Sequence, residues 1–435
     1  MEIIKTNTKD KASAKVLKKI YNRAEIVESG ISDVVKAIIK DVKEYGNRAV
    51  LLYTKKFDKA DYTTKTVQVS KQEIEQALKK VKKSEYKLLE SAAARVTKFH
   101  EKQKRNSWFD HDEDGITLGQ LITPIHRAGL YVPGGKAAYP SSVIMNSIPA
   151  KIAGVKEVIM VCPTPNGVVN STILAAAHIC GVDKIFKVGG AQAVAALAYG
   201  TKTIPKVDKI VGPGNIYVAE AKRMLYGVVD IDMVAGPSEI LIIADGTTNP
   251  AYAAADMLSQ AEHDEMACPY LVTHDDKFAS AVESELKKQL KKLGRKVIAK
   301  KSLNDYGAII VTKSLTESVE ISNKVAPEHL ELAVRDPFLL LSQIKNAGAI
   351  FMGEYTPEAI GDYTAGPNHV LPTGGTARFY SPLGVDDFIK KSSIISYTSD
   401  ALDRSGEDAA KIADLEGLTA HANAVRIRLN KKRGK

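Results

Sequence analysis

Short apolar runs alternate with helical stretches over much of this chain, from about residue 115 onward. In a first series, candidate strands at 158–162, 184–188 and 207–211 are each followed by a candidate helix. A strand followed by a helix and then by another strand is typical of βαβ units, in which the strands are parallel and the helices cover the sheet. The alternation therefore predicts an α/β fold with parallel strands.

A second series of the same kind begins after residue 238. Its candidate helices are 251–263, 278–293 and one that opens with the capping box Ser314–Glu317. A chain of 435 residues is too long for one ordinary core, so two α/β blocks in series fit its length. The first hundred residues and the last fifty have helical patterns instead, and 353–387 form a long loop rich in Gly, Pro and Thr. The candidate strands of this second series are 240–244, 270–273, 308–312, 330–334 and 349–352.

The composition is that of an ordinary globular chain, with 44% hydrophobic and 26% charged residues. No apolar run reaches the roughly 18 residues that a membrane span needs. The N-terminus has no signal-peptide pattern, so a cytoplasmic location is expected. Three widely spaced cysteines without a CxxC pair are expected to be buried thiols. The net charge of +10 reflects lysine clusters with little aromatic interleaving, which favours a solvated surface over nucleic-acid binding.

Four separated sites place an imidazole beside a carboxylate or an amide. Gln260 and His263 are three residues apart near the end of a helix and leave the same face, as two ligands of one metal ion would. Taken alone, this spacing fits a helix-end histidine held by a hydrogen bond, and glutamine is an uncommon zinc ligand. The argument for a metal site therefore depends on the other three sites.

The Glu328–His329 pair lies just before a candidate strand, at the mouth of a sheet, where α/β enzymes place their chemistry. Histidine titrates near neutrality and the pKa of a glutamate can be raised toward it, so the pair suits proton transfer. Asp362 and His369 lie in the Gly- and Pro-rich loop, and Glu416 and His421 lie near the C-terminus. Ordinary turns, helix caps and surface pairs are the alternatives for each site taken alone.

Three glycine-containing turns suggest a nucleotide site, although the chain has no GxGxxG motif. Gly189–Gln192 and Gly212–Asn215 each follow a candidate strand and precede a helix, whose N-terminus favours phosphate. The third turn, Tyr131–Gly135, adds a tyrosine that can stack or form a hydrogen bond. Each turn is a weak signal alone, but all three fall in one α/β block. A further turn at Ser238 can present a hydroxyl group to a ligand.

With these motifs the chain resembles the L-histidinol dehydrogenase family, from about residue 20 to residue 430. The set of motifs is highly specific and shows no departure at a functional position. The residues that carry the resemblance are Gly129–Gly135, Val188–Ala193, Gly212–Asn215, Ile231–Asp232, Ala235–Glu239, Ser259–His263, Ala326–Leu330, Pro367–Thr373 and Glu416–His421.

The resemblance implies a role for each site residue. Glu328 and His329 match the family's catalytic acid/base pair, and Tyr131, Gln192 and Asn215 match its NAD contacts. One zinc ion per subunit is implied, held partly by a residue from the partner subunit of a homodimer. The residues that match the zinc ligands are Gln260, His263, Asp362 and His421, of which His421 would come from the partner. The residues that match the substrate contacts are Ser238, Gln260, His263, His329, Asp362, His369, Glu416 and His421, with Glu416 also contributed across the interface.

The family fold, by the same resemblance, has two large α/β domains of incomplete Rossmann type. Small helical N- and C-terminal elements interlock in the homodimer. Applied to this chain, the resemblance predicts an N-terminal helical arm (1–24), a discontinuous substrate and zinc domain (25–115 with 238–380), an NAD-binding domain (116–237) and a C-terminal dimerisation element (381–435).

The activity implied is the four-electron oxidation of L-histidinol to L-histidine through histidinal, with two NAD molecules, as the last step of histidine biosynthesis. No nucleic-acid or membrane partner is expected. One alternative is a related dehydrogenase of another small hydroxy compound, such as a sulfonated diol, although Glu416 and His369 suit a cationic amino-imidazole substrate. A zinc hydrolase and a non-catalytic metal-binding protein are the alternatives from other classes.

Overall fold

The computed structural model describes residues 3–23, 30–134 and 139–429. Within them the strands are β1 (Ile4–Asn7), β2 (Trp108–His111), β3 (Ile116–Pro124), β4 (Arg127–Tyr131), β5 (Glu157–Val161), β6 (Lys184–Phe186), β7 (Lys209–Val211), β8 (Asp230–Ile231), β9 (Glu239–Ala244), β10 (Cys268–Thr273), β11 (Ala308–Val311), β12 (His329–Ala333), β13 (Ala349–Met352) and β14 (Ile389–Tyr397).

The α-helices of the same residues are α1 (Ser13–Tyr21), α2 (Ile31–Tyr45), α3 (Asn47–Asp58), α4 (Lys71–Lys80), α5 (Lys83–His100), α6 (Pro140–Ala153), α7 (Ser171–Ile179), α8 (Gly190–Tyr199), α9 (Ile216–Leu225), α10 (Pro250–Ala261), α11 (Asp276–Leu290), α12 (Lys296–Asp305), α13 (Leu315–Val325), α14 (Pro337–Leu341), α15 (Glu358–Ile360), α16 (Ser399–Leu415) and α17 (Thr419–Arg426). Among the described residues, none of these helices is both long and apolar enough to cross a bilayer.

The chain divides into two compact units. The first consists of residues 1–103 and 125–388, and the second of residues 104–124 and 389–435. The first unit contains two parallel sheets, in the strand orders β6-β5-β4-β7-β8 and β1-β11-β10-β9-β12-β13. The predicted mixed α/β fold with parallel strands is thereby confirmed.

The central strands follow directly from their sequences. All six residues of β9 and of β10 are buried, because helices cover both faces of a parallel sheet and leave no face for polar side chains. Ser314 caps α13 by accepting a hydrogen bond from the Glu317 backbone N–H, which is one half of the predicted capping box. The Glu317 carboxylate accepts from the Lys313 N–H rather than from the Ser314 N–H. Cys162, Cys180 and Cys268 are free and buried, as expected.

The helices before residue 101 pack mainly on the five-stranded sheet. Buried side chains of α2 and α3 form a cluster with β4, β5, α8 and α9, and those of α4 and α5 pack with α6 and α7. The predicted grouping of residues 25–115 with 238–380 stays a prediction, and α5 also lies against Gly366 in the loop that follows residue 353. The amphipathic pattern of α2 marks which face is buried but carries no information about which sheet receives it.

Two terminal segments that read as helical also contain strands. β1 lies within the predicted N-terminal arm and pairs in parallel with β11 at the edge of the six-stranded sheet. In the second unit, β14 pairs antiparallel with β3, which also pairs antiparallel with β2. Helices α16 and α17 pack on each other in the same unit, as Val425 and Leu429 lie close to Gly406. Residues 389–429 therefore form a strand followed by two helices.

Candidate active site

The Glu328–His329 pair lies where β12 begins beside the start of β9 in the six-stranded sheet. The Glu239 backbone N–H donates to Glu328 Oε2 at 2.8 Å, and His329 Nδ1 donates to the Glu239 carbonyl oxygen at 2.9 Å. Both side chains are buried. Glu328 precedes the strand as predicted, whereas His329 is its first residue. The pair lies at the amino end of the parallel strands rather than at the carboxyl end. The backbone groups of Glu239 hold it there.

Three carboxylates surround the His329 imidazole. Its Nε2 lies 3.7 Å from Glu358 Oε1 and 3.7 Å from Asp362 Oδ1, and Glu328 Oε2 lies 3.7 Å from its Nδ1. Within the described part of the chain, Nε2 is buried without a hydrogen-bond partner. Burial alone would lower the pKa of His329, but the charges of Glu358, Glu328 and Asp362 outweigh it and hold that pKa well above its usual value.

Burial raises the pKa of two of these carboxyl groups. That of Glu328 rises to about 8 and that of Glu358 to about 7, although the nearby His329 opposes both shifts. A carboxyl group whose pKa lies near neutrality can both release and accept a proton at physiological pH. Glu328, next to His329, is therefore suited to proton transfer.

Gln260 is fully buried at the end of α10, next to the same carboxylates. Its amide nitrogen can donate to both oxygens of Glu358, at 3.0 and 3.1 Å, and this orientation satisfies the whole side chain. The amide oxygen then faces His263, which is one helical turn further along the chain. The predicted i, i+3 relation thus places an oxygen and an imidazole together.

Asp362 lies in a short π-helical segment, Gly361–Ala365, that follows α15 directly. Such turns are frequent at functional sites, because the wider turn changes where side chains point. Burial would raise the pKa of Asp362, but the adjacent His329, together with His369 and His263, lowers it below its usual value. The structure therefore brings Asp362 and these three histidines within electrostatic reach of one another.

The remaining predicted substrate contacts lie elsewhere in the chain. Ser238 is half-buried and directly precedes Glu239, whose backbone holds the acid/base pair. Glu416 and His421 belong to the second unit, where both are exposed. Glu416 follows the end of α16, and His421 lies in α17.

The predicted nucleotide contacts follow the carboxyl ends of strands in the five-stranded sheet, as expected for an open parallel sheet. The Tyr131 hydroxyl at the end of β4 accepts a hydrogen bond from the Gly190 N–H at 3.0 Å. Asn215 caps α9 by accepting from the Tyr217 and Val218 N–H groups. Gln192, in the first turn of α8, is 1% exposed, and neither atom of its amide has a partner among the described residues.

Glycine is required at one of these turns. Gly212 has a φ of +108°, and a Cβ atom there would overlap the carbonyl oxygen of Tyr131. The close approach of two strand ends therefore explains why this turn contains glycine. The end of β4 at Tyr131 and the turn at Gly212 therefore lie directly against each other.

Several residues of the site are missing from the predicted set, although one of them, Glu239, ends the motif Ala235–Glu239. Glu239 and Glu358 contact the predicted residues, and Arg23 forms an ion pair with Glu239 at 2.5 Å. Glu331, two residues after His329, is buried and accepts the Glu358 N–H at 2.9 Å. Its position could have been found, since a charged residue inside an otherwise apolar strand needs a buried partner.

The sequence model of the histidinol dehydrogenase family matches residues 21–429. This chain belongs to the histidinol dehydrogenase family. It is 57% identical to the histidinol dehydrogenase of Syntrophotalea carbinolica over 410 residues, which cover 94% of this chain and 95% of that protein. It is 52% identical to that of Bacillus cereus over 433 residues, covering 100% of each chain. The crystal structure of histidinol dehydrogenase from Elizabethkingia anophelis aligns with a TM-score of 0.92, at 38% identity, over 98% of each chain.

Membership of the histidinol dehydrogenase family confirms the resemblance. The matched region contains every predicted site residue, from Tyr131 in β4 to His421 in α17. Both compact units of this protein lie almost wholly within the matched region. The second unit, with Glu416 and His421, is therefore part of the region that the family model describes.

The carboxyl pair Asp256–Glu331 gives a stability prediction. Burial raises the pKa of Asp256 to about 6 and that of Glu331 well above its usual value, and the two side chains hydrogen-bond to each other. Acids whose pKa is raised on folding stabilise the fold at low pH, and this contribution is lost as the pH rises through about 6. Glu331→Gln should therefore increase the free energy of unfolding near pH 8 by about 1–2 kcal/mol and leave it little changed near pH 5.

Urea unfolding at the two pH values measures this effect. The glutamine oxygen can still accept the Glu358 N–H, and its amide can donate to Asp256, so the fold keeps its contacts. Glu283→Gln, which removes a half-buried ion pair with Lys287 on α11, is the control and should change both values by the same small amount, about 0.5 kcal/mol or less. If Glu331→Gln and the natural protein have equal free energies of unfolding near pH 8, the pKa of Glu331 is not raised by folding and the prediction is wrong.

Proposed function

We propose that this protein oxidises L-histidinol to L-histidine through histidinal with two molecules of NAD, in the cytoplasm, as the last step of histidine biosynthesis. The observation that carries the proposal is the buried Glu328–His329 pair, which Glu239 holds with His329 Nε2 unpartnered. Membership of the histidinol dehydrogenase family supports the same activity.

The geometry of His329 supports a role as the base. The raised pKa of His329 favours the imidazolium while its neighbouring carboxylates are charged, so it must first release the Nε2 proton. Because Nδ1 keeps its proton to donate to a carbonyl oxygen, the neutral form then carries the lone pair on Nε2. Nε2 would accept the proton of the substrate hydroxyl as hydride leaves the adjacent carbon for NAD, which gives the aldehyde. Glu328, whose pKa burial raises to about 8, would take a proton from the water that adds to this aldehyde. His329 would then take the hydroxyl proton of the hydrate in the second hydride transfer.

The donor groups present suit one zinc ion per subunit. Gln260 would contribute its amide oxygen, His263 an imidazole nitrogen and Asp362 a carboxylate oxygen, and the partner subunit's His421 would complete the set. The lowered pKa of Asp362 supports its role, because a ligand must be deprotonated. Bound zinc would act as a Lewis acid that orients the imidazole and amino nitrogens of the substrate.

A second grouping of donors competes with this assignment. One donor atom each from His329, Glu358 and Asp362 lie within 4.8 Å of one another, which would also fit a metal ion. We favour the first set because Glu358 binds the Gln260 amide nitrogen and Nε2 of His329 is needed as a base. A homodimer follows from the same proposal, because the partner subunit's Glu416 and His421 would complete a substrate pocket to which Ser238 and His369 would also contribute.

The proposed NAD site comprises Tyr131, Gln192 and Asn215. The buried amide of Gln192 has no hydrogen-bond partner among the described residues, which costs free energy in the NAD-free protein. A ligand that forms hydrogen bonds with both its oxygen and its nitrogen would remove this cost. The N-terminus of α9 beside Asn215 is suited to a phosphate group.

Gln192→Leu tests this site. Because leucine has a similar size but no polar atoms, the KM for NAD should rise about tenfold, which corresponds to the loss of one or two hydrogen bonds. The melting temperature of the NAD-free protein should not fall. The control is Gln289→Leu, which removes a donor to the Ala251 carbonyl and should lower stability without changing the KM for NAD. An unchanged KM for NAD in Gln192→Leu would remove Gln192 from the site.

The function is tested by following NADH formation from L-histidinol and NAD, before and after a chelator and with zinc restored. We expect two NADH per L-histidinol, loss of activity with the chelator and recovery with zinc. No NADH from the folded, zinc-loaded protein would exclude L-histidinol as substrate. NADH formation that survives complete removal of the metal would overturn the zinc assignment while leaving the activity in place.

A further inference from the structure

A buried ion pair lies directly behind the acid/base pair. Arg23 and Glu239 are 8% and 1% exposed. The guanidinium binds the carboxylate through two parallel bonds, Nε to Oε1 and Nη2 to Oε2, each of 2.5 Å. Bidentate pairs of this kind fix the direction of a carboxylate as well as its charge.

Glu239 connects this ion pair to the reacting groups. Its backbone N–H and carbonyl bind Glu328 and His329, respectively, while its side chain binds Arg23 and the Gly374 N–H at 2.9 Å. One residue therefore holds both members of the acid/base pair, and its own position depends on Arg23.

Arg23 also holds the segment that leads into Glu328. Its Nη2 donates to the Val325 carbonyl oxygen at 2.9 Å, and its Nη1 donates to the Ile20 carbonyl at 3.1 Å. The next residue, Ala326, has a φ of +49°, a conformation that a residue with a side chain adopts at an energetic penalty. The guanidinium thus fixes this strained turn from one side and the start of β9 from the other.

We propose that Arg23 is a positioning residue for Glu328 and His329, acting through Glu239 and through the turn at Ala326. It contacts neither member of the pair. Its effect is to keep His329 Nε2 and the Glu328 carboxyl group in place while protons are transferred. The inference rests on the proposed function, and it gives the segment after α1 a part in catalysis.

The test is Arg23→Met in the full-length protein, assayed by NADH formation from L-histidinol. We expect kcat to fall about 10- to 100-fold, as small displacements of reacting groups produce such losses. The KM for L-histidinol and the zinc content should stay within about twofold, because Arg23 is itself neither a proposed zinc ligand nor a proposed substrate contact. Arg23→Lys keeps the charge but not the bidentate geometry, and it should recover part of kcat.

The matched control is Arg127→Met, which removes another Arg–Glu pair of 2.5 Å, with Glu157, from the five-stranded sheet. Its kcat should equal that of the natural protein. A kcat for Arg23→Met within twofold of the natural value would overturn the proposal. So would a loss of kcat that is matched by an equal loss of zinc, since the effect would then concern the metal.

A measurement without turnover separates this proposal from the proposed function. In protein with ¹⁵N-labelled histidine, the His329 signals, assigned by comparison with His329→Asn, should show Nδ1 protonated in the natural protein. Glu239→Gln, which cannot hold Arg23 as a carboxylate does, should broaden or shift these signals, as should Arg23→Lys if Arg23→Met fails to fold. Unchanged signals in both variants would overturn the positioning role. If the variants show these shifts but the natural protein does not oxidise L-histidinol, the proposed function is rejected and the positioning role of Arg23 stands.

Discussion

Replacing His329 with asparagine should lower kcat for L-histidinol oxidation by about 10²- to 10⁴-fold, the range typical of a lost general base. The reason is that Nε2 of His329 has no partner among the described residues and faces the carboxylates that line the site. Asparagine keeps a polar side chain beside the Glu239 carbonyl but supplies no base. Steady-state kinetics together with metal analysis of the purified variant measure both quantities.

The zinc content distinguishes the two possible donor sets. If Gln260, His263 and Asp362 hold the metal, His329→Asn should keep close to one zinc per subunit, whereas Asp362→Asn should lose most of it. Loss of zinc from His329→Asn would instead indicate that His329, Glu358 and Asp362 form the metal site. The activity loss would then have another cause.

Mixing two inactive variants should restore activity if His421 acts across a dimer. His329→Asn and His421→Asn each disable every site of their own homodimer. In a mixed dimer, one site receives the intact His329 of one subunit and the intact His421 of the other. After denaturation and random reassociation, about a quarter of the natural activity is expected, because half the dimers are mixed and one of their two sites is intact.

The control mixes His329→Asn with Glu328→Gln, whose substituted residues are neighbours in one chain. Every site of that mixed dimer carries one of the two changes, so no activity should return. Activity in the control would mean that one site can use Glu328 of one subunit and His329 of the other. Recovery in the first mixture would then no longer be specific evidence for His421. No recovery in the first mixture, with mixed dimers demonstrated by mass, would place His421 in the site of its own chain.

The parallel sheets were predictable because their strands are buried on both faces. β9 and β10 are uncharged at every position except Glu239, and most of their side chains are apolar. Such a continuous apolar run is by itself enough to predict a buried strand. β14 was missed because its polar residues Lys390, Lys391, Ser392 and Ser393 interrupt any apolar alternation, and most of the strand is exposed. β1 is only four residues long and forms its ladder with residues some 300 positions away.

The site was predictable where function requires particular residue types close together in sequence. Glu328 and His329 are neighbours, and Gln260 and His263 share a helix face, so each pair is visible locally. Arg23 and Glu239 are 216 residues apart, and nothing near either one indicates the other. A backbone group such as the Glu239 carbonyl has no residue type at all, so only the folded chain shows that it orients an imidazole.

The second unit has a consequence for how the protein is made. Its antiparallel sheet joins β3, which ends at Pro124, to β14, which begins at Ile389. A ribosome must therefore synthesise all of residues 125–388 before β14 can join β3, which until then can pair only with β2. Meanwhile the other edge of β3 is available to other nascent chains. Production of this protein should thus depend on translation speed and on chaperones more than its parallel sheets alone would suggest. The residues proposed to complete a neighbour's active site, Glu416 and His421, follow β14 and are therefore synthesised later still.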